Sequence, residues 1–167
     1  LLGSKIHLKS RENFGTTITF TIPFEYNEET TKKYIENIDV DTTSASNYNI
    51  LVVEDNKINQ LVTRKIIEKH NFKCAVVDDG YTALEILKTE TFDLILMDIN
   101  MPLINGFETT RMIREKGITV PIVALTAFDK DEISDEAKLS GMNDVLIKPF
   151  EPVRLFQVIS AQIAKSK

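Results

Sequence analysis

Residues 49–56 have the sequence Asn-Ile-Leu-Val-Val-Glu-Asp-Asn, a short apolar run rich in valine that ends in two acids. Similar runs lie at Lys73–Val77, the weakest of them, and at Asp93–Met97, Pro121–Leu125 and Asp144–Ile147. Each is too short for an ordinary helix and lacks the alternation of a half-exposed strand, so we expect strands that are covered on both faces. Strands of this kind are typical of parallel sheets.

Segments with a helical spacing of apolar residues follow the predicted strands, and their apolar positions include Leu61, Leu84, Ile113, Ala137 and Ile159. Five strands alternating with five helices predict a doubly wound five-stranded parallel α/β sheet, because right-handed crossovers place helices on both faces. In such sheets the functional crevice lies outside the carboxyl ends of the strands.

Polar residues stand where the predicted strands end, namely Glu54 and Asp55, Asp98, Thr126 and Lys148. Crowded carboxylates repel one another unless a cation joins them, and ligands made only of oxygen suit a hard ion such as Mg²⁺. We expect Asp55 and Asp98 to be direct ligands and Glu54 to act through a metal-bound water. The main-chain carbonyl of Asn100 is the expected third protein ligand, and Mn²⁺ is an expected substitute ion.

The same residues suit phosphoryl transfer. A carboxylate held beside a metal can attack phosphorus and form an acyl phosphate, and Asp98 is the expected nucleophile. The transfer depends mostly on positioning and charge neutralisation. Lys148 would supply a fixed positive charge, Thr126 a hydroxyl, and the backbone N–H after Thr126 a further donor.

Each of these residues also suits an ordinary structural role. Asp55 and Asn56 suit the cap of a helix that begins at Lys57, Asp98 suits a turn, Thr126 suits a strand, and Lys148 can extend its amine to solvent. Such roles can explain each residue singly. They do not easily explain why all of these residues stand at the ends of successive strands. The acidic turn at residues 78–80 is interpreted only as a helix cap and loop.

Four motifs together resemble the receiver domain of two-component response regulators: Ile50-Leu-Val-Val-Glu-Asp-Asn56, Leu94-Ile-Leu-Met-Asp-Ile-Asn-Met-Pro102, Ile122-Val-Ala-Leu-Thr-Ala127 and Ile147-Lys-Pro-Phe150. The resemblance spans residues 48–167 and implies a flavodoxin-like receiver fold. It also implies that Asp98 is the phosphoacceptor, that Thr126 is the switch hydroxyl and that Lys148 contacts the phosphate. Glu54, Asp55 and the Asn100 carbonyl would belong to the magnesium site.

The resemblance extends to further positions. Pro149 is typically preceded by a cis bond in this family, and an X-Pro bond takes that form at little cost. Asn100 and Phe128 flank the route of attacking water and influence the lifetime of the acyl phosphate. Val145 departs from the pattern, since many receivers have Tyr or Phe there that swings inward with the switch hydroxyl. An aromatic switch is therefore not implied, although Thr126 can still reposition the loop after it.

Residues 1–24 resemble the last hairpin of a histidine-kinase ATP-binding domain. Lys5–Ser10 and Thr16–Ile22 alternate in polarity and flank a turn with Asn13 and Gly15, which predicts a hairpin. The Asn-rich metal helix and the Asp-x-Gly-x-Gly loop are missing, so we expect this fragment to bind no nucleotide. Residues 25–47 are mostly polar and are predicted to be a linker. The chain thus resembles the carboxyl-terminal part of a hybrid sensor histidine kinase.

The implied partners supply the phosphoryl group or receive it. Neither His7 nor His70 has the His-Glu context of a kinase site, so the donor histidine is expected in the kinase domain of the parent chain or in a histidine phosphotransfer protein. The predicted first helix is the implied docking surface. The face formed by Ile133–Leu139 and Glu151–Gln162 is expected to change on phosphorylation and to support a dimer. Because the chain ends at Lys167, we expect the receiver to relay its phosphoryl group or to regulate its kinase.

Composition excludes some functions. The net charge of −5 and the lack of a basic patch with interleaved aromatics argue against nucleic-acid binding. No apolar run approaches the roughly 20 residues that span a bilayer, so we expect no direct membrane contact and a cytoplasmic location, with any membrane anchor upstream in the parent. Cys74 is the single cysteine and is interpreted as a small buried hydrophobe.

Three other functions fit these residues less well. A degenerate receiver would act only as an interaction module, but such domains typically lose the acceptor, the acidic pair or the lysine. A Mg²⁺-dependent aspartyl-phosphate phosphatase of the haloacid dehalogenase type would need a second Asp at the position of Asn100. A nucleotide-binding α/β domain would need a glycine-rich loop after the first strand, which is missing here.

Overall fold

The computed structural model describes residues 6–11, 15–20 and 48–166 of the chain. The chain divides into two units, residues 1–43 and 44–167. The predicted linker, residues 25–47, lies outside the described residues, and the predicted domain boundaries stay predictions.

The first unit contains the predicted hairpin. Strand β1 (Ile6–Arg11) pairs antiparallel with β2 (Gly15–Phe20), with Leu8 opposite Ile18. Both of these side chains are mostly exposed, at 63% and 59% of their surface. The hairpin therefore carries an apolar pair that is open to solvent.

The second unit is the predicted doubly wound α/β fold. Its elements are β3 (Asn49–Val53), α1 (Lys57–Lys69), β4 (Lys73–Val77), α2 (Gly80–Ile86), β5 (Leu94–Asp98), α3 (Gly106–Glu115), β6 (Ile122–Thr126), α4 (Lys130–Ser140), β7 (Asp144–Ile147) and α5 (Pro152–Lys165). The strands lie in the spatial order β4-β3-β5-β6-β7 and all pair in parallel.

Apolar side chains from the sheet fill a core on each of its faces, as the predicted two-sided coverage requires. In β3, Leu51 and Val53 belong to one core, whereas Ile50 and Val52 belong to the other. The edge strand β4 is less buried than the central strands, which explains its weaker apolar pattern. Cys74 lies in this edge strand and is half-buried, and burial raises the pKa of its thiol to about 11.

Two central strands end one residue later than the sequence predicted. In the parallel ladders Asp98 pairs with Leu125, and Thr126 pairs with Ile147. The N–H of Ile99 continues the first ladder by donating to the carbonyl of Leu125 at 3.1 Å. Hydrogen bonds to neighbouring strands therefore hold the backbone of both predicted site residues inside the sheet.

Side-chain caps start the helices near the site. The Oδ1 of Asn56 accepts from the N–H groups of Ile58 and Asn59, which begins α1. The Oδ1 of Asp79 accepts from the N–H of Thr82 and begins α2, so the structure confirms that this acidic turn contains a helix cap. Among the described residues, no helix has the length and apolar character needed to cross a bilayer.

Candidate functional site

The predicted site residues meet at one edge of the sheet. Parallel strands bring their carboxyl ends to the same edge, and β3, β5, β6 and β7 are successive neighbours there. Glu54 and Asp55 follow β3, Asp98 and Thr126 end β5 and β6, and Lys148 follows β7. These residues therefore lie close together although helices and strands separate them in the sequence.

Three acidic side chains form a cluster. Carboxylate oxygens of Glu54, Asp55 and Asp98 all lie within 4.8 Å of one another. Glu54 and Asp98 are buried, whereas Asp55 is exposed. A donor set made only of carboxylate oxygens, open on one side to solvent, fits a hard hydrated ion such as Mg²⁺. The position of the Asn100 carbonyl relative to such an ion stays a prediction.

Lys148 links two members of the acidic cluster. Its Nζ lies 2.6 Å from the Oε2 of Glu54 and 3.1 Å from the Oδ2 of Asp98. Both carboxylates are almost completely shielded from water, so the ammonium group offsets part of their mutual repulsion. The main-chain N–H of Lys148 donates to the carbonyl of Thr126, which extends the β6–β7 ladder to the lysine.

The environment of Asp98 raises the pKa of its carboxyl above the ordinary value. Burial raises the pKa of the Asp98 carboxyl, with a smaller contribution from the negative charge of Glu54, while the positive charge of Lys148 and the N–H of Asn100 oppose the shift. The N–H of Asn100 donates to the Oδ1 of Asp98 at 3.3 Å. A cation in the cluster would favour the carboxylate form that acts as a nucleophile.

Thr126 contacts its own loop. Its buried hydroxyl oxygen accepts a hydrogen bond from the N–H of Phe128 at 3.0 Å. The Lys148-Pro149 peptide bond is cis, which the sequence had allowed. Val145 lies half-buried in β7 and packs against the core on one face of the sheet.

A glycine allows the helix after the acceptor strand to approach it closely. A Cβ built on Gly106, the first residue of α3, would lie 2.2 Å from the carbonyl oxygen of Asp98. Asn105 and Glu108 form a capping box that starts α3 at this point. Sequence reasoning did not single out Gly106, and an isolated glycine carries no signal for such an approach.

Sequence reasoning also missed two amide side chains in α1. The Nδ2 of Asn59 donates to the Oε1 of Glu54 at 2.9 Å. The Nε2 of Gln60 donates to the main-chain carbonyl of Glu54 and to the Oδ1 of Asp78. Their spacing from Glu54 places both on the first turn of α1, which is the signal that could have identified them.

A cleft of about 390 Å³ adjoins the predicted acceptor loop, lined by Ile99, Asn100, Asn105, Phe107, Phe128, Glu132, Ile133 and Glu136. The predicted lifetime-tuning residues Asn100 and Phe128 therefore border the same cavity. Phe128 is 46% exposed. Their effect on the lifetime of an acyl phosphate stays a prediction.

Residues 50–160 match the family of response regulator receiver domains. The chain belongs to this family. Receiver domains form the doubly wound sheet described above, and the crystal structure of the receiver domain of the sensor histidine kinase PA1611 from Pseudomonas aeruginosa is similar, with a TM-score of 0.66 and 36% identity. The match covers 71% of this chain and 99% of that one, and that structure has a magnesium ion coordinated in its active-site cleft.

Full-length relatives of this receiver include sensor kinases. The chain is 38% identical over 124 residues to the sensor histidine kinase GacS of Pseudomonas protegens, covering 71% of this chain and 14% of GacS. It is 34% identical over 156 residues to the autoinducer 2 sensor kinase/phosphatase LuxQ of Vibrio vulnificus, covering 93% of this chain and 18% of LuxQ. The chain thus spans less than a fifth of either relative.

Proposed function

We propose that the α/β unit is a working receiver that accepts a phosphoryl group on Asp98 in a Mg²⁺-dependent reaction. The observation that carries this proposal is the ammonium group of Lys148, which lies within hydrogen-bonding distance of both Glu54 and Asp98 inside a cluster of three carboxylates. The cluster offers oxygen ligands for a cation, and the lysine offers a second positive charge for an incoming phosphoryl group.

In the proposed reaction, an oxygen of Asp98 forms a bond to phosphorus while the bond from phosphorus to the donor nitrogen of a phosphohistidine breaks. The electron pair of that bond stays on the imidazole. Bound Mg²⁺ would neutralise charge on the phosphoryl oxygens, with Glu54, Asp55, Asp98 and the Asn100 carbonyl as the residues that hold it. We expect Mn²⁺ to substitute. Lys148 positions Asp98 before transfer and can then contact the phosphoryl group.

Thr126 is the proposed switch residue. Its hydroxyl already accepts from the N–H of Phe128, so movement of the hydroxyl toward a phosphoryl group would shift the loop that begins α4. With Val145 in place of an aromatic residue, the proposed conformational change runs through this loop and the Lys148-Pro149 segment. The face formed by Ile133–Leu139 and Glu151–Gln162 is the proposed surface for a partner or a second copy. Leu139 on this face is exposed, as is Ile147 at the end of β7.

The phosphoryl donor is proposed to be a histidine of a kinase domain or of a phosphotransfer protein that docks on α1. Three apolar side chains of this helix, Ile58, Leu61 and Val62, are 73%, 54% and 51% exposed. We propose that the parent protein is a hybrid sensor histidine kinase. We propose that it lies in the cytoplasm or is anchored in a membrane by a segment upstream of this chain. Support comes from GacS and LuxQ, and the LuxQ match extends over 93% of the chain and so beyond the receiver.

The test is intact-mass analysis after incubation with acetyl phosphate, with Mg²⁺ or with a chelator. We expect one phosphoryl increment in the wild-type chain with Mg²⁺, and none with the chelator or in Asp98→Asn. Asp135→Asn is the matched control, because Asp135 is an exposed carboxylate on α4, and it should be labelled like the wild type.

The outcomes of these measurements distinguish the alternative functions. Labelling of Asp98→Asn, or labelling without a divalent ion, would contradict the proposed acceptor chemistry. If wild-type protein that binds Mg²⁺ accepts no phosphoryl group from either acetyl phosphate or a phosphorylated histidine domain, the chain is an interaction module. Rapid release of phosphate from many small phosphomonoesters would instead favour a phosphatase.

A further inference from the structure

Both oxygens of the Glu54 carboxylate accept hydrogen bonds. Its side chain is only 1% exposed, and a buried charge of this kind needs hydrogen-bond donors on its oxygens. Lys148 donates to Oε2 at 2.6 Å. Oε1 accepts from the amide of Asn59 at 2.9 Å and from the N–H of Asn56 at 3.3 Å. The orientation of the carboxylate plane is therefore determined by donors on opposite sides.

Asn59 is suited to this role by its place in the helix. It lies in the first turn of α1 and is half-buried beside the acidic cluster. Its own N–H is bonded to the Oδ1 of Asn56, the residue that caps the helix. The cap thus holds the turn in place, and the Asn59 amide group contacts Glu54 rather than taking part in the cap.

A neighbouring amide offers a direct contrast. Gln60 also reaches toward Glu54, but its Nε2 donates to the main-chain carbonyl and to the Oδ1 of Asp78, and no described contact joins it to the Glu54 carboxylate. Two amides in the same helical turn therefore contact the same residue, one at its charged group and the other at its backbone.

We propose that Asn59 is a positioning residue that fixes the Glu54 carboxylate and thereby sets the affinity of the acidic cluster for Mg²⁺. The proposal rests on the proposed function, in which Glu54 is one of the residues that hold Mg²⁺. Donors that orient a metal-binding carboxylate typically change metal affinity by about 10- to 100-fold when they are removed. The Asn59 amide, with the N–H of Asn56, keeps Oε1 bonded to the start of α1 while Lys148 holds Oε2.

The test measures Mg²⁺ binding directly by isothermal titration calorimetry on the full chain. We expect Asn59→Ala to raise the Kd for Mg²⁺ about 10-fold, and Asn59→Gln, which retains an amide donor on a longer arm, to recover part of the loss. Gln60→Ala, which removes only contacts with the Glu54 main chain and with Asp78, should weaken binding less than Asn59→Ala does. Lys65→Ala is the matched control, because Lys65 is exposed on the same helix, and it should bind Mg²⁺ like the wild type. Thermal unfolding in chelator checks that each variant is folded at the temperature of the titration.

The variants separate a positioning role from a general effect on the helix. An unchanged Kd in Asn59→Ala would overturn the inference, while the proposed function would stand if the wild type still binds Mg²⁺ and becomes phosphorylated. An equal loss in Gln60→Ala would also overturn it, because the effect would then come from the helix turn as a whole. If Asn59→Ala unfolds at a lower temperature than the wild type in chelator, Asn59→Gln is the deciding variant. An Asn59→Gln chain that is as stable as the wild type but binds Mg²⁺ no more tightly than Asn59→Ala would contradict the inference. A wild-type chain that binds no Mg²⁺ would overturn both proposals.

Discussion

Lys148 and Glu54 are 94 residues apart in the chain, yet the Nζ of Lys148 donates to the Oε2 of Glu54 at 2.6 Å. Their strands are not neighbours, because β5 and β6 lie between β3 and β7. The lysine side chain therefore crosses the carboxyl edge of the sheet and passes Asp98, which it also contacts. This contact joins the two ends of the site. The stability of the folded protein should therefore depend on the charge of Lys148.

Removal of the Lys148 charge should destabilise the metal-free protein. We expect Lys148→Met to lower the free energy of unfolding by about 3 kcal/mol, because it leaves Glu54 and Asp98 buried without their cation. Added Mg²⁺ should stabilise this variant more than the wild type. Urea unfolding in chelator and in Mg²⁺ measures both effects. Lys88→Met, which breaks only an exposed pair with Glu85, should cost less than about 1 kcal/mol.

Mg²⁺ should stabilise the folded receiver through the acidic cluster. At ten times its Kd, a ligand that binds only the folded state adds about 1.4 kcal/mol to the free energy of unfolding. We expect a corresponding rise in Tm for the wild type and a much smaller one for Asp55→Asn. The exposed variant Asp135→Asn should keep the full shift. Equal shifts in both variants would show that Mg²⁺ binds elsewhere.

Phe128 should prolong the life of the acyl phosphate. Its side chain and Asn100 line the cleft beside the acceptor loop, where a bulky apolar group hinders the approach of water. We expect Phe128→Glu to lose its phosphoryl group faster than the wild type. The rate for Phe128→Leu should lie between those of the wild type and Phe128→Glu. The time course of the phosphorylated mass after removal of acetyl phosphate gives the rates. A longer lifetime in Phe128→Glu would contradict the prediction.

Gly106 should be required for the position of the acceptor strand. A Cβ at this residue would lie 2.2 Å from the carbonyl oxygen of Asp98, so α3 or the end of β5 must move. We expect Gly106→Ala to cost about 1–3 kcal/mol of stability and to slow labelling by acetyl phosphate. Gly117→Ala is a useful comparison, because its strain comes from a φ of +75° with no atom near the added Cβ. It should lose stability without slowing labelling.

His70 should make stability depend on pH. Its ring stacks on Phe156 with centroids 4.0 Å apart, and burial, followed by the charge of Lys69, lowers the pKa of the imidazole. The unfolded chain protonates this histidine near its ordinary pKa of about 6.5, whereas the folded protein does so only at lower pH. Stability therefore falls as the pH decreases below about 6.5.

Substitution of His70 tests this pH dependence. We expect His70→Phe to flatten the change in Tm over the acidic range, since phenylalanine keeps the stacking on Phe156 and has no proton to bind. His7→Gln should leave the profile as in the wild type, because His7 lies exposed in β1. A His70→Phe profile that is as steep as the wild-type profile would place the effect in other groups.

Much of the fold could be predicted from the chain itself. The apolar runs identified every strand of the sheet, and the two central strands were misplaced by only one residue at their ends. That shift has a physical cause, because hydrogen bonds from neighbouring strands extend β5 to Asp98 and β6 to Thr126. The weaker pattern of β4 was also informative, since this strand lies at the edge of the sheet.

The chain by itself determined the elements, their order and the polar residues at the strand ends, because local periodicity and residue type are sufficient for those. Only the tertiary structure decided which atoms meet. Lys148 joins Glu54 to Asp98, Asn59 holds the far side of Glu54, and Gly106 lets α3 approach Asp98. These contacts join residues from different strands and helices, and distances between such atoms follow from side-chain rotamers and packing rather than from spacing along the chain.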